Sequence, residues 1–280
     1  MSLPLLSVHG FGVIYRDGAH RVAALQAIDF DLAPGRRLAL VGESGSGKST
    51  LAMAIAGLLP ENAETTGSIS FPSLGAPPRP GRDLGVVFQD PAGSLNPVLS
   101  VGNQLAEIVA VHRGATWRAA RTIAAELLDK VRIPQARVRL DGFPHEFSGG
   151  QRQRIAMAAA LAANPSFLIA DEPTSALDTV MQRELILLLD ELVRDDGLTL
   201  LFVTHDIALA SELADEVAVL LRGRMLEKGP VAATFAAPAH LYTRSLLATR
   251  LGLDTPQATR LPEIDPQTFA IHRPRETKHG

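Results

Sequence analysis

The chain has 280 residues, of which 46% are apolar and 20% are charged, a balance typical of a globular protein with a sizeable core. Its formal net charge of −3 gives no basic surface to argue for nucleic acid or anionic lipid. The absence of cysteine excludes disulfides, zinc–thiolate sites and thiol-ligated iron–sulfur clusters. No apolar run approaches the roughly 18–20 residues that a membrane span requires, and the N-terminus lacks the pattern of a signal peptide. We therefore expect a soluble, intracellular protein.

Hydrophobic patterning predicts a strand-rich first third. Short β-type segments, separated by Gly, Pro and Asp turns, occupy residues 5–15, 27–32, 37–41, 68–71 and 84–88. The segment 37–41 is followed by a Gly/Ser-rich loop and then by an apolar helix at 51–59. A Pro/Gly loop is predicted at 71–81. This arrangement places a tight turn between a buried strand and a helix.

From Ser100 to about Ala163 the hydrophobic period becomes helical. One apolar face there begins behind a Thr116 N-cap and consists of Trp117, Ala120, Ala124, Leu127, Leu128 and Val131. Alternation then returns: strands at 167–170, 198–203 and 216–221 are separated by helices at 179–194 and 206–213. This alternation predicts an α/β fold with a mostly parallel sheet, beside which the helical block is an insertion. The proline-containing tail at 254–280 is predicted to have little regular structure.

The loop at residues 42–50 fits the phosphate-loop pattern G-x-x-x-x-G-K-[ST], with Gly42, Gly47, Lys48 and Ser49 at the fixed places. Glycines let the backbone wrap a triphosphate, and successive N–H groups form an anion-binding nest. The helix behind the loop directs its positive N-terminal dipole at the same point. We expect Lys48 to reach the β- and γ-phosphates and the Ser49 hydroxyl to bind Mg²⁺. An ordinary Gly/Ser loop is the alternative.

Two carboxylates follow the strand at 167–170. Asp171 ends the strand beside the phosphate loop, where it can hold Mg²⁺ directly or through water. Glu172 points to the opposite side, where it can accept a proton from an attacking water. A bare Asp-Glu pair would be a solvated turn, but the strand and the phosphate loop favour the catalytic interpretation.

The segment Phe147-Ser-Gly-Gly-Gln-Arg152 precedes an Ala-rich helix. Ser148 is a good N-cap, and two glycines let the backbone approach an anionic ligand. By itself this segment is equally consistent with a structural cap and with a phosphate site.

Five motifs occur in the order that is found in the nucleotide-binding subunits of ABC transporters, and the chain is identified as resembling that family over residues 5–250. They are the phosphate loop, Ser148-Gly-Gly-Gln, Asp171-Glu172, Ser175-Ala-Leu-Asp178 and Thr204-His-Asp206. The resemblance implies a P-loop NTPase core, an N-terminal antiparallel β-layer and a helical subdomain inserted at about 92–163. It also implies an ABC ATPase domain over 1–253, followed by the tail.

The resemblance assigns roles residue by residue. Tyr15 resembles the aromatic residue that stacks on adenine, and Gln89 the residue that ligates Mg²⁺ and senses the transport domain. Asp178 resembles the aspartate that communicates between two sites, and His205 the histidine that contacts the γ-phosphate. Ser148 and Gly150 resemble contacts to the ATP of an opposite subunit. The predicted phosphate-loop contacts are Gly42, Ser44, Gly45, Ser46, Gly47, Lys48, Ser49 and Thr50. The predicted catalytic residues are Glu172, His205 and Lys48, and the predicted Mg²⁺ ligands are Ser49, Gln89 and Asp171.

Each of the isolated residues also has a plain structural interpretation. Tyr15 could be a half-buried aromatic residue, and Gln89 a solvated strand end. His205 could be a helix N-terminal residue with a satisfied imidazole. Because His205 follows a strand parallel to the one before Asp171, we expect it at the catalytic edge of the sheet.

Three segments, at 42–48, 87–97 and 240–247, look like the oligopeptide/dipeptide/nickel importer ATPases. The chain departs from that pattern at 71–84, which is short, and in lacking the cysteine cluster of many peptide-importing members. The cysteine-free tail resembles nickel or metal-chelate members somewhat more. Phe147 stands where the family often has Leu, and Leu241 where it commonly has Pro.

The resemblance implies the ATPase subunit of a bacterial importer, which hydrolyses Mg²⁺-ATP to drive uptake of short peptides or nickel and metal chelates. Its implied partners are a second ATPase subunit (identical or paralogous), a transmembrane permease and, indirectly, a periplasmic substrate-binding protein, with no nucleic acid. The implied location is the cytoplasmic face of the inner membrane, with the permease bound between the 89–97 loop and the helices around Trp117. The alternatives are a soluble ABC ATPase of DNA repair or translation, a regulatory protein without turnover, and the ATPase of an exporter.

Overall fold

The computed structural model describes residues 3–18, 20–89, 91–174 and 177–251, and the predicted 254–280 tail lies outside them. Within this part of the chain there are nine strands and ten α-helices. The strands are β1 (Leu6–Asp17), β2 (His20–Leu32), β3 (Arg37–Val41), β4 (Ala63–Ser70), β5 (Leu84–Val87), β6 (Phe167–Asp171), β7 (Thr199–Val203), β8 (Glu216–Leu221) and β9 (Arg224–Pro230).

Helices and strands alternate from β6 to β8, and in the described part of the chain five of the helices form one run without an intervening strand. The helices are α1 (Lys48–Ala56), α2 (Pro91–Ser94), α3 (Val101–Arg113), α4 (Trp117–Lys130), α5 (Ala136–Arg139), α6 (Gly149–Leu161), α7 (Thr179–Asp196), α8 (Ile207–Leu213), α9 (Val231–Ala236) and α10 (Leu241–Leu251). The run from α2 to α6 lies between β5 and β6 in the chain. None of the helices in the described ranges combines the length and the apolar character that crossing a bilayer demands.

The described strands form two sheets. The larger has the order β5-β6-β7-β3-β8-β9, in which the pairs from β5 to β8 are parallel and β9 is antiparallel to β8. The smaller is antiparallel, with the order β2-β1-β4. The α/β fold with a mostly parallel sheet and an N-terminal antiparallel layer is therefore confirmed. The crossover helices bring the carboxyl ends of the parallel strands to one edge, where ligands bind in such sheets.

The central strand β3 shows how the layers are held together. Its side chains alternate between two cores: Leu38 and Leu40 face one cluster, and Ala39 and Val41 face the other. The first cluster contains α1 residues Leu51, Ala52, Ile55 and Ala56 together with residues of β1 and β2. The second contains residues of α3, α4, α6 and α7. The phosphate loop therefore follows directly after a strand that is buried on both faces. This burial fixes the position at which the loop begins.

Three strands differ most from the sequence-based expectation. β2 reaches back to His20 instead of starting at 27, β4 starts at Ala63 instead of 68, and β9 is absent from the expected strands. In β2 the first four residues are all exposed, so no alternation between buried and exposed positions marks the start of the strand. Arg21 lies opposite Arg16 of β1, and both guanidinium groups pair with Glu64 of β4, which offsets the like-charge contact.

Candidate nucleotide site

The loop between β3 and α1 adopts backbone conformations that exclude other residues at two of its glycines. Gly42 has φ 153° and Gly47 has φ 103°. A Cβ atom on Gly42 would lie 2.2 Å from the Leu220 carbonyl oxygen, and one on Gly47 would lie 2.8 Å from that of Ala24. The loop is thus pressed against β8 and β2, and only glycine permits these approaches.

Lys48 begins α1 and is 4% exposed. Its Nζ donates to the carbonyl oxygens of Gly42 at 2.9 Å and Glu43 at 2.8 Å. Burial lowers the pKa of the Lys48 ammonium, and the Glu172 and Asp171 carboxylates act in the opposite direction. The side chain is therefore a buried cation held in the curve of the loop, next to two carboxylates.

Ser49 and Asp171 meet at the carboxyl edge of the sheet. The Ser49 hydroxyl donates to Asp171 Oδ1 at 3.1 Å. Burial raises the pKa of Asp171, as does the neighbouring Glu172 carboxylate, whereas the Ser49 donation and Lys48 lower it. Although β7 separates β6 from β3 in the sheet, the two motifs that were predicted to bind Mg²⁺ therefore lie in contact.

Glu172 is held with an unusual backbone conformation. Its φ is 44°, in the left-handed region, and its N–H donates to the Val203 carbonyl at 3.0 Å. Its Oε2 accepts from Gln89 Nε2 at 3.3 Å and lies 3.5 Å from His205 Nδ1. A non-glycine residue with this φ is strained, and such strain is concentrated at functional sites. The structure thus brings Gln89, Glu172 and His205 together.

A cavity of about 540 Å³ opens beside these residues. Eight of the predicted site residues are among those that line it: Ser44, Gly45, Gly47, Lys48, Ser49, Thr50, Gln89 and Glu172. The remaining lining residues were missed: Val22, Ala23, Ala24, Arg222 and Gly223. Val22 is an apolar side chain with 60% exposure, but no motif marks it in the sequence.

Tyr15 is not among the described residues that line this cavity. Its hydroxyl donates to Thr50 Oγ1 at 3.4 Å, and its ring packs against the core cluster below the antiparallel sheet. The structure therefore places Tyr15 next to the phosphate-loop helix, behind a residue of the cavity wall. Its stacking on adenine stays a prediction.

Ser148, Gly150 and Asp178 lie at two helix starts, and none of the three lines the cavity among the described residues. Ser148 is the N-cap of α6, where it forms a capping box with Gln151. Asp178 caps α7 and accepts from the Met181 N–H at 2.9 Å. A Cβ on Gly149 would meet nothing within 4 Å, and one on Gly150 would make only ordinary contact with Met181. Packing within the chain thus does not require these glycines.

Comparison with known proteins identifies the family. The family model described as "ABC transporter" matches residues 25–175. A Brucella abortus protein, provisionally named a peptide import ATP-binding protein, is 41% identical over 266 residues, which cover 89% of this chain and 79% of that relative. The peptidoglycan transport ATP-binding protein YejF of Agrobacterium fabrum is 44% identical over 255 residues, which cover 88% of this chain and 47% of YejF.

Comparison with solved structures points to the same family. A dimeric ATP-binding cassette, MJ0796, in a post-hydrolysis state bound to ADP and Pi has a TM-score of 0.71 at 28% identity, covering 81% of this chain and 98% of that one. CbiO1 from Clostridium perfringens, part of the ABC transporter complex cbiONQ, has a TM-score of 0.70 at 29% identity, covering 90% of this chain and 98% of that one. The chain therefore belongs to the ABC transporter family. Within it, the chain is an ATP-binding subunit with ATP hydrolase activity, built on a P-loop NTPase fold.

Proposed function

We propose that this chain is the ATP-binding subunit of a bacterial importer and hydrolyses Mg²⁺-ATP to drive uptake of short peptides. The observation that carries this proposal is the cluster at the sheet edge, where buried Lys48 and the Ser49–Asp171 pair lie beside Glu172. Peptide cargo is favoured because the Brucella relative is named for peptide import. The nickel or metal-chelate alternative rested on the tail, which lies outside the described residues.

The loop and its surroundings fit a nucleotide and Mg²⁺. Among the described residues, Ser46 Oγ is a buried hydroxyl without a hydrogen-bond partner, as expected of a group that serves a ligand. The Ser49 hydroxyl, the Asp171 carboxylate and the Gln89 amide provide the hard oxygen ligands that Mg²⁺ prefers. When bound there, the ion would supply positive charge that offsets the negative charge of the phosphate groups.

The geometry supports a role for each group during hydrolysis. The Lys48 ammonium has three donors, of which the Gly42 and Glu43 carbonyls accept two. The third would form a charge-assisted contact with a phosphate oxygen. Glu172 accepts a proton from a water whose oxygen attacks the γ-phosphorus, while the bond from that phosphorus to the oxygen of the leaving ADP breaks. Gln89 orients the Glu172 carboxylate through Oε2, and His205, beside the same oxygen, is placed to contact the γ-phosphate.

The same proposal makes the site composite. Ser148 and Gly150 lie away from the cavity on the chain's own surface, so we infer that they contact the nucleotide of a second ATPase subunit, with Asp178 between the two sites. Closure of two subunits would exclude water and place additional donors at the γ-phosphate. The helical subdomain at about 92–163 would move as part of a 1–253 ATPase domain.

We expect Mg²⁺-ATP to convert the Glu172→Gln variant, alone or with a paralogous subunit, from monomer to dimer in light scattering, because bound ATP would then persist between two subunits. Adding Gly149→Arg should prevent the mass change: the added side chain meets open space within the chain but would obstruct a partner. Ala233→Arg, at an exposed position on α9, is the control and should still dimerise. A constant mass with and without ATP in both settings would argue strongly against a composite site.

A second cavity, of about 560 Å³, is the proposed binding site for the permease. Phe88, which is 41% exposed, lines it together with Ile108 and His112 of α3 and Ala156 of α6. Trp117, near which the groove was expected, lies on α4 and is not among its described lining residues. Because Gln89 follows Phe88 directly, movement of a segment in this groove would reach the Glu172 carboxylate. The chain would thus be held at the cytoplasmic face of the inner membrane by protein contacts, with a periplasmic binding protein as an indirect partner.

Affinity capture of the tagged chain from solubilised membranes should recover a peptide permease, as identified by mass spectrometry. Ile108→Arg places a charge in the groove and should abolish recovery while preserving ATP binding. Val111→Arg is a matched control, because Val111 lies on the same helix, is 70% exposed and does not line the groove. Recovery of translation or DNA-repair machinery without a permease would contradict the transporter function, whereas a sugar or lipid permease would contradict only the cargo.

A further inference from the structure

The C-terminal helix α10 contacts the phosphate loop through one buried phenol. Tyr242 is 4% exposed, and its oxygen accepts a hydrogen bond from the backbone N–H of Glu43 at 3.0 Å. The carbonyl of the same peptide unit, that of Gly42, accepts from Lys48 Nζ at 2.9 Å. A single peptide plane is therefore held at both ends, on one side by Tyr242 and on the other by the ammonium that is assigned to the phosphates.

Tyr242 is in turn fixed by a cluster of contacts at the start of α10. Glu227 of β9 accepts from the backbone N–H groups of Ala239 at 2.9 Å and His240 at 3.3 Å, and from the Thr243 hydroxyl at 2.8 Å. His240 Nδ1 accepts from the Tyr242 N–H at 3.0 Å. Burial acts to raise the pKa of Glu227, but these donors outweigh it and lower the pKa below its ordinary value. The carboxylate thus remains an ionised acceptor that anchors the segment before the helix.

The Gly42–Glu43 peptide needs such an anchor because of its own sequence. Gly42 has no Cβ and must remain glycine to approach Leu220, so its backbone torsions are weakly restrained. Rotation of this peptide would turn the Gly42 carbonyl away from Lys48. A hydrogen bond from outside the loop removes that freedom, and in a buried setting hydrogen bonds in series strengthen one another.

We propose that Tyr242 is a positioning residue for nucleotide binding, which fixes the Gly42–Glu43 peptide and thereby the location of the Lys48 ammonium. The inference rests on the proposed function of Lys48 as a phosphate ligand. It gives a role to the segment at 240–247, which the resemblance singled out without a function. It also joins that segment physically to the phosphate loop, which resembles the same importer group.

Tyr242→Phe tests this role, because it removes the oxygen and retains the ring. We expect the dissociation constants of ATP and ADP to rise by about 3–10-fold, the effect of one lost hydrogen bond on binding. We also expect faster amide hydrogen exchange at Glu43, measured by NMR. Tyr242→Leu, which also removes the ring, should lower the unfolding temperature further but weaken nucleotide binding to the same extent as Tyr242→Phe. Leu241→Ala, at a neighbouring position with 64% exposure, is the control. It should change neither the nucleotide dissociation constants nor the amide exchange at Glu43.

A purely structural role predicts a different pattern. Tyr242→Phe would then bind ATP as the parent chain does, and only Tyr242→Leu would differ, in its unfolding temperature; this result would overturn the inference and leave the proposed function intact. Rapid exchange of the Glu43 amide in the parent chain would also overturn it, without recourse to any variant. Failure of the parent chain to bind ATP would instead contradict the proposed function itself.

Discussion

Replacing Glu172 by glutamine is expected to slow ATP hydrolysis by roughly 10²–10⁴-fold, the contribution of a positioned general base. The amide has nearly the shape of the carboxylate but cannot accept the proton of the attacking water. Nucleotide binding should survive, because the contacts that hold the phosphates come from the loop and Lys48. Release of phosphate measures the rate, and equilibrium binding of ATP measures the affinity.

A matched control and a contradicting outcome complete this experiment. Glu212→Gln applies the same chemical exchange to α8, where Glu212 is 43% exposed and lies 4.0 Å from Arg183, and should leave the rate unchanged. If Glu172→Gln hydrolysed ATP at the parent rate, the base would have to be sought elsewhere, with Asp178 and His205 as the next candidates. His205 lies near Glu172 Oε2, whereas Asp178 caps α7, so the structure favours His205 of the two.

The parts of the fold that sequence patterns located correctly are those in which local and tertiary preferences agree. β3 and β8 have the predicted bounds, 37–41 and 216–221. Both are short apolar runs that are buried at nearly every position, as expected of strands in the interior of a parallel sheet. The helix after the phosphate loop was predicted at 51–59 but spans Lys48–Ala56. It starts within the motif because Gly47 in the left-handed conformation supplies its N-terminus.

β9 shows where local patterns are insufficient. Its sequence, Arg-Met-Leu-Glu-Lys-Gly-Pro, has no clean alternation, and most of its side chains are half-buried. It forms because the Arg222-Gly223 turn returns the chain along β8, and the Gly223 N–H donates to the Ser46 carbonyl at 2.9 Å. The phosphate loop itself thus stabilises this turn, a long-range contact that no window of sequence contains.

The site could be predicted to a similar degree. Motifs located the groups that we propose to carry the chemistry, because phosphate, Mg²⁺ and proton transfer demand particular residue types at particular spacings. They could not identify Val22 or Arg222, which line the cavity because of where the fold places them and belong to no motif. They also could not pair Tyr242 with Glu43, which are 199 positions apart in the chain. Residues that act through a backbone contact leave no chemical signature in a sequence.

Gly42→Ala is expected to reduce ATP hydrolysis by at least about 10²-fold, the loss that a displacement of roughly 1 Å in a reactive site can cause. The added Cβ would lie 2.2 Å from the Leu220 carbonyl oxygen and 2.9 Å from Ser46 Oγ. The Leu220 carbonyl belongs to the backbone of β8 and cannot rotate away as a side chain could. The loop must therefore move, and it carries the Gly42 carbonyl and Lys48 with it. Phosphate release by the purified variant, together with its unfolding temperature, measures the effect.

The control for Gly42→Ala is Gly57→Ala at the opposite end of α1. Gly57 also has a positive φ, of 70°, but a Cβ there would meet nothing within 4 Å. Its substitution should therefore cost about 1–2 kcal/mol of stability from backbone strain while hydrolysis by the folded protein continues at the parent rate. Equal losses of hydrolysis in the two variants would mean that strain alone, not displacement of the loop against β8, controls the site. Parent-like hydrolysis by Gly42→Ala would show that the loop tolerates a shift that its fixed contacts to β8, Lys48 and Tyr242 should forbid.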